Sequence, residues 1–252
     1  MAPGARLPLV QRLSWRLLLG VLLLAWATTT TRAAPFEDSI AQRMLACTGC
    51  HGKDGRAVGT VYFPRIAGKP AGYLFNELRN FRDGRRSYAL MTGMVALLDD
   101  NYLREIARHF AALDLPYPAP PASNLSPQAA ALAQGLVERG DPQRGLPACT
   151  SCHGTSLTGV LPHVPGLLGL PRDYINAQLG AWKSGQRHAA APDCMAEVAG
   201  ALSVDEVAAV SAWLEARALP ADSKAAAVSP PPPGTGARPL CGSAPELAGA
   251  AR

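Results

Sequence analysis

Apolar positions in this chain recur at helical spacing and almost nowhere alternate. Tyr102, Ile106 and Phe110 fall at i, i+4 and i+8, with Leu103 and Leu113 alongside. Val207, Val210 and Trp213-Leu214 form a second stripe of the same kind. Such stripes predict amphipathic helices. Ser203 followed by Glu206 is a capping-box pattern and predicts where the second helix starts. Phe110 and Trp213 read as packing residues in these stripes. No run alternates convincingly at period two, so strands should be few and the fold class is all-α.

The pattern repeats with a period near 102 residues. Gly68-Lys69-Pro70-Ala71-Gly72-Tyr73-Leu74 parallels Gly169-Leu170-Pro171-Arg172-Asp173-Tyr174-Ile175. Helix-like stretches follow, ending in Phe81-Arg82-Asp83-Gly84 and Trp182-Lys183-Ser184-Gly185. A Met comes next in each copy, Met91 and Met195, and seven residues later a Leu opens the last helix, Leu98 and Leu202. Each copy reads as three or four short helices. The predicted organisation is a leader over 1–33, a first domain over 34–114, a Pro-rich linker over 115–125, a second domain over 126–219 and a disordered Pro/Ala-rich tail over 220–252. The leader has the form of a secretory signal peptide, with Arg6, Arg12 and Arg16 before the apolar run Leu17 to Trp26 and a small-residue cleavage site at Thr31-Arg32-Ala33. An uncleaved leader would associate the protein with the membrane. The formal charge of +5 rests on the leader's four Arg; without them 20 basic residues face 19 acidic ones, which implies no nucleic-acid partner.

The chemistry lies at the start of each copy. Cys47-Thr48-Gly49-Cys50-His51 and Cys149-Thr150-Ser151-Cys152-His153 both have the form Cys-x-x-Cys-His. Two thiols at this spacing can add to the two vinyl groups on one edge of a haem, and the adjacent His offers an imidazole nitrogen to the iron. The pattern therefore predicts two covalently bound haem c groups, with Cys47, Cys50, Cys149 and Cys152 as attachment points and His51 and His153 as iron ligands. Disulfides or a zinc site are the bland alternatives. A second axial ligand would make each haem an electron-transfer site, and thioether sulfur raises its potential. The repeat selects Met91 and Met195 for this role. Met94 has no counterpart, since Val198 occupies its position, and it reads as core packing. Met44 is too close to Cys47. The carbonyls of Pro64 and Pro165 are candidates to accept a hydrogen bond from the His Nδ1 atoms. Arg65, Arg85, Arg86 and Lys183 are either propionate partners or solvated charges. His109, His163 and His188 lack repeat partners and read as bland. Cys194 and Cys241 remain: in an oxidising compartment they suggest a disulfide tethering the tail, while the sharper alternative makes Cys194 a thiolate ligand of the second iron.

These residues resemble the cytochrome c4 family, and more broadly class I cytochrome c. The resemblance rests on Cys47 to Gly52, Phe63-Pro64-Arg65-Ile66-Ala67-Gly68, Tyr73-Leu74, Met91-Thr92-Gly93-Met94, Ile106 to Phe110, Pro147 to Gly154, Tyr174-Ile175, Met195 and Leu202-Ser203, and spans about residues 37 to 219. It implies two tandem class I cytochrome c domains with both irons His/Met-ligated, in a periplasmic carrier of single electrons. Its partners would be an oxidase, dehydrogenase or reductase. The second copy departs from the pattern: Val164 stands before Pro165 where an aromatic is usual, and neither Cys194 nor Cys241 belongs to it. The competing readings are a cytochrome subunit of one particular dehydrogenase, and an enzyme with an open or Cys-ligated second haem acting on a small sulfur or peroxide substrate.

Overall fold

The computed structural model describes residues 37–57, 62–230, 233 and 238–249. The predicted leader lies outside them. The first copy begins with α1 (Ile40–Arg43) and α2 (Leu45–His51). Gly52 ends α2 at φ 74°, a left-handed turn that a side chain resists, and the chain leaves at once after His51. The copy continues with α3 (Ala71–Arg82), α4 (Ala89–Val95) and α5 (Asp100–Ala111). Leu74, Phe81, Leu103, Ile106 and Phe110 form its core, which is where α3 crosses α5.

The second copy follows the same order. It has α6 (Pro127–Glu138), α7 (Cys149–His153), α8 (Arg172–Lys183), α9 (Cys194–Ala201) and α10 (Val204–Glu215). Gly154 ends α7 at φ 84°, matching Gly52. Ser203 Oγ accepts from the Glu206 amide at 3.1 Å, and the Glu206 carboxylate accepts from the Ser203 amide at 2.7 Å, so the capping box forms as the sequence predicts. Leu136, Val137, Val210 and Leu214 pack α6 against α10. The last helices start slightly later than predicted, after Asp99 and Ser203, with Leu98 and Leu202 just ahead of the caps. Extended structure among the described residues amounts to β1 (Gly159–Val160) and β2 (Val164–Pro165), antiparallel, with Val160 also bridging to Ala226.

Several contacts fasten the copies to each other and to the linker. Arg65 donates to the carbonyls of Ala67, Leu115 and Pro116 and stacks 3.8 Å from the Tyr117 ring, which pins the linker. Lys69 Nζ donates to the Gly166 carbonyl at 3.2 Å. Gly72 lies so near His163 that a Cβ there would come within 2.3 Å of the ring. Neither Arg65 nor Lys183 is a free surface charge. Lys183 Nζ donates to the carbonyls of Ala199 and Leu202 and so caps the end of α9.

The tail corrects the sequence reading. Disorder was expected throughout 220–252 from its Pro/Ala composition, yet Cys241 and Leu247 are each 1% exposed, and Ala244 is also buried. They pack on Val160 and Val164, and a short helix, α11 (Glu246–Gly249), closes the segment. A few buried apolar side chains and one disulfide outweigh an unfavourable composition.

Candidate functional site

Each motif helix presents its His to the interior. His51 Nδ1 lies 2.8 Å from the Pro64 carbonyl and His153 Nδ1 lies 2.7 Å from the Pro165 carbonyl. A carbonyl only accepts, so both Nδ1 atoms carry the proton and both Nε2 lone pairs are free. Burial pushes both imidazoles below their ordinary pKa, with the proline carbonyls working in the opposite direction. The rings are held neutral, fixed in orientation and ready to bind a metal through Nε2.

The four motif thiols are unpaired. Burial pushes Cys149 up to about 12, with Cys152 adding to it, and raises Cys47 and Cys152 as well. Among the described residues no three His, Cys, Asp or Glu side chains gather as a metal-binding group. What the motifs share is a cavity of about 1040 Å³ with mainly apolar walls. His51, Cys47, Cys50 and Met91 line it in the first copy, and His153, Cys149, Cys152 and Met195 in the second. A neutral imidazole, two vinyl-reactive thiols and a thioether on one apolar cavity, twice over, fit two haem c groups.

Met94, expected in the core, is 50% exposed and lines this cavity. Cys194 is disulfide-bonded to Cys241, which removes the thiolate-ligand alternative. His163 pairs with Glu246 at 3.0 Å, and His109 packs edge-on against Phe110. Arg85 is held by Asn80 and Asp83.

One cluster escaped the sequence reading. Between the copies, Glu77 Oε2 accepts from Arg86 at 2.5 Å and from Arg187 at 2.9 Å. Gln178 Oε1 accepts from the same two guanidinium groups at 2.7 and 2.8 Å, and Arg86 also reaches the Tyr174 hydroxyl. Arg86 sits 4.5 Å over Phe81, and Arg187 3.7 Å over Trp182. These are repeat-equivalent pairs, so the cluster has pseudo-twofold symmetry, and its charge symmetry is broken where Glu77 faces Gln178. Burial works against the Glu77 carboxylate, but Arg187 and Arg86 overcome it and hold its pKa below the ordinary value. All four side chains line the cavity, which receives one net positive charge from them. The signal was present as matching residues in the repeat, but spacing alone does not say that they meet.

No protein-family model matches the chain. It is 37% identical over 207 residues to a thiosulfate dehydrogenase electron acceptor of Thiomonas intermedia, covering 81% of this chain and 91% of the relative. It is 30% identical over 202 residues to cytochrome c4 of Pseudomonas aeruginosa, covering 79% of this chain and 98% of that protein. The chain belongs to the cytochrome c4 family. Among solved structures, reduced cytochrome c4 from Pseudomonas stutzeri superposes with a TM-score of 0.59 at 29% identity, over 69% of this chain and 94% of that one. Thiosulfate dehydrogenase TsdBA from Marichromatium purpuratum superposes at 0.62 with 35% identity over 70% of this chain, which spans 37% of that longer chain. The protein is accordingly an all-α dihaem c-type cytochrome of class I fold, and it transfers electrons with redox protein partners. Among its described residues no helix is long and apolar enough to cross a membrane.

Proposed function

We propose that this cytochrome is an exported, non-catalytic one-electron carrier that accepts electrons from a dehydrogenase acting on a sulfur compound such as thiosulfate. Cys47 and Cys50 would hold one haem and Cys149 and Cys152 the other, with His51/Met91 and His153/Met195 as axial pairs. When bound, haem c supplies a reversible ferric/ferrous couple. The protein's part is to keep both imidazoles neutral by burying them, to fix their tautomer and orientation through Pro64 and Pro165, and to place a thioether on the cavity wall. The observation that carries the reading is the twofold occurrence of a proline-anchored His and a Met on one cavity. If a His and a Met together hold each haem, neither site leaves room for a substrate, which favours a carrier over an enzyme. The sulfur-compound donor is suggested by the Thiomonas intermedia relative.

Low-temperature EPR of the oxidised holoprotein tests the ligand sets, with two low-spin His/Met signals expected. Stopped-flow absorbance tests the role. Thiosulfate alone should leave the ferric protein unchanged, and thiosulfate with a thiosulfate dehydrogenase should reduce it. A high-spin haem, or rapid reduction by thiosulfate alone, would overturn the carrier reading.

A further inference from the structure

The two motif helices share a sequence pattern and differ in surroundings. Around α2, Leu45, Ala46, Gly49 and Cys50 are exposed, while their repeat partners Pro147, Ala148, Ser151 and Cys152 are buried or half-buried. The end of the chain lies over the second pair. Arg238 donates through Nε to the Ser151 carbonyl. Cys241 is bonded to Cys194, the residue just before Met195. Cys241, Ala244 and Leu247 pack on Val160 and Val164, with Cys152 and Cys194 against the same cluster.

The fit has a reason in the sequence. Where the first copy has Phe63 before its proline, the second has the smaller Val164, and the tail packs on that valine. The backbone is pressed home as well. Gly242 donates to the Pro192 carbonyl at 2.9 Å, and a Cβ on it would fall 2.1 Å from the Ala191 carbonyl oxygen. Asn76 of the first copy donates to the Ser243 carbonyl at 3.1 Å, and Glu246 pairs with His163. Pro239, Cys241, Ser243, Ala244 and Leu247 are themselves part of the cavity wall. The first copy has nothing of this kind among the described residues. Leu90, the repeat partner of Cys194, is 59% exposed at the cavity rim.

We propose that residues 238–249 are a disulfide-tethered cap over the cysteine-bearing edge of the second haem site, so that exchange of electrons with partners runs through the first site. The proposal rests on the two-haem reading above. Electron tunnelling falls steeply with distance, and a layer of side chains over one edge lengthens the gap for any partner approaching it. The second haem then communicates with solution through the first.

Proton NMR of the reduced holoprotein, titrated with a soluble gadolinium chelate, tests this. Haem methyl signals near Cys50 should broaden, while those near Cys152 stay sharp. In a chain lacking residues 238–252, the Cys152-side signals should broaden as much as the Cys50-side ones. Should that chain fail to take up haem, the full-length Cys241→Ser/Leu247→Asp variant, which unpins the cap and makes it polar, should give the same result. Equal behaviour of the two edges in the full-length protein, whether both sharp or both broadened, would overturn the proposal. So would a Cys152 side that stays sharp once the cap is removed or unpinned. Upfield-shifted methionine methyl signals, one per haem, report the ligand sets separately, so failure of the ligand reading is distinguishable from failure of the cap.

Discussion

At the first site Cys50 and its neighbours meet solvent; at the second, Ser151 and Cys152 lie beneath Arg238, Cys241 and Leu247. The chemistry on both cavity walls is the same, down to a proline carbonyl within 0.1 Å of the same distance from each His Nδ1. Duplication has kept what fixes a ligand and changed what covers it. A ligand geometry tolerates little variation, because a misplaced imidazole or thioether no longer meets the same atom. A cover need only be apolar and of the right volume, so it is free to diverge. The same division holds at the interface, where both arginines are repeated, each over an aromatic ring, while Glu77 faces Gln178.

The largest test of that asymmetry is Glu77→Gln. It makes the two copies alike and leaves Arg86 and Arg187 buried without a carboxylate, at a cost of about 3–5 kcal/mol. Chemical denaturation of the holoprotein should show the loss, and adding Gln178→Glu should restore most of it by moving the carboxylate to the other copy. Failure of the double variant to recover would mean that Glu77 acts through its own copy and not through the shared pair of arginines.

Acid probes the same contact. The Glu77 pKa is held below its ordinary value of 4.5. A carboxylate with a lowered folded-state pKa binds protons more readily when unfolded, so its stabilisation is present above that ordinary value and disappears as pH falls through the folded one. Thermal unfolding followed from pH 7 downwards should therefore show wild type losing more stability below about pH 4.5 than Glu77→Gln does. Parallel curves would place the acid sensitivity elsewhere.

Much of the proposed site is legible in the sequence because covalent attachment would demand a local spacing. Cys-x-x-Cys-His marks both cysteine pairs and both imidazoles, and the repeat picks Met91 and Met195 out of five methionines. The proline carbonyls followed from needing a partner for Nδ1. The tail was misread because composition averages over its length, whereas Cys241, Ala244 and Leu247 matter singly and only beside Val160 and Val164. The lack of a repeat partner points Met94 to the core, whereas it is 50% exposed and lines the cavity. The sequence offers Arg65 and Lys183 as propionate partners or solvated charges, whereas in the fold both hold backbone carbonyls. Side-chain identity shows that a charge exists, and only the fold shows what it meets.

Truncation of one apolar side chain on each cavity rim separates covered from open. Leu247→Ala removes a side chain that is 1% exposed, and it should cost about 3 kcal/mol, within the usual range for a buried leucine. Leu90→Ala acts on a side chain 59% exposed and should stay within about 0.5 kcal/mol. Hydrogen exchange would locate the first loss: amides of 241–249 should open in Leu247→Ala while those of α5 keep their protection. Equal costs for the two variants would remove the difference between the edges.

The smallest effect concerns the caps of the last helices. Among the described residues Asp99 caps by accepting from the Tyr102 amide at 2.9 Å, whereas Ser203 shares its cap with Glu206, which also binds Arg144 at 2.7 Å. Ser203→Ala should cost about 1 kcal/mol, typical for the loss of an N-cap side chain. Glu206→Ala should cost more than Ser203→Ala, because it frees both the Ser203 amide and the Arg144 guanidinium, which ties the α10 cap back to Asp141 and the Ala201 carbonyl. In the first copy no second residue backs the cap, so Asp99→Ala should expose the first turn of α5 and nothing beyond it. Exchange rates in the two first turns would decide the point. If Glu206→Ala leaves the 141–144 turn as protected as wild type, the second cap is no more connected than the first, and the greater divergence of the second copy is confined to the cover over its haem edge.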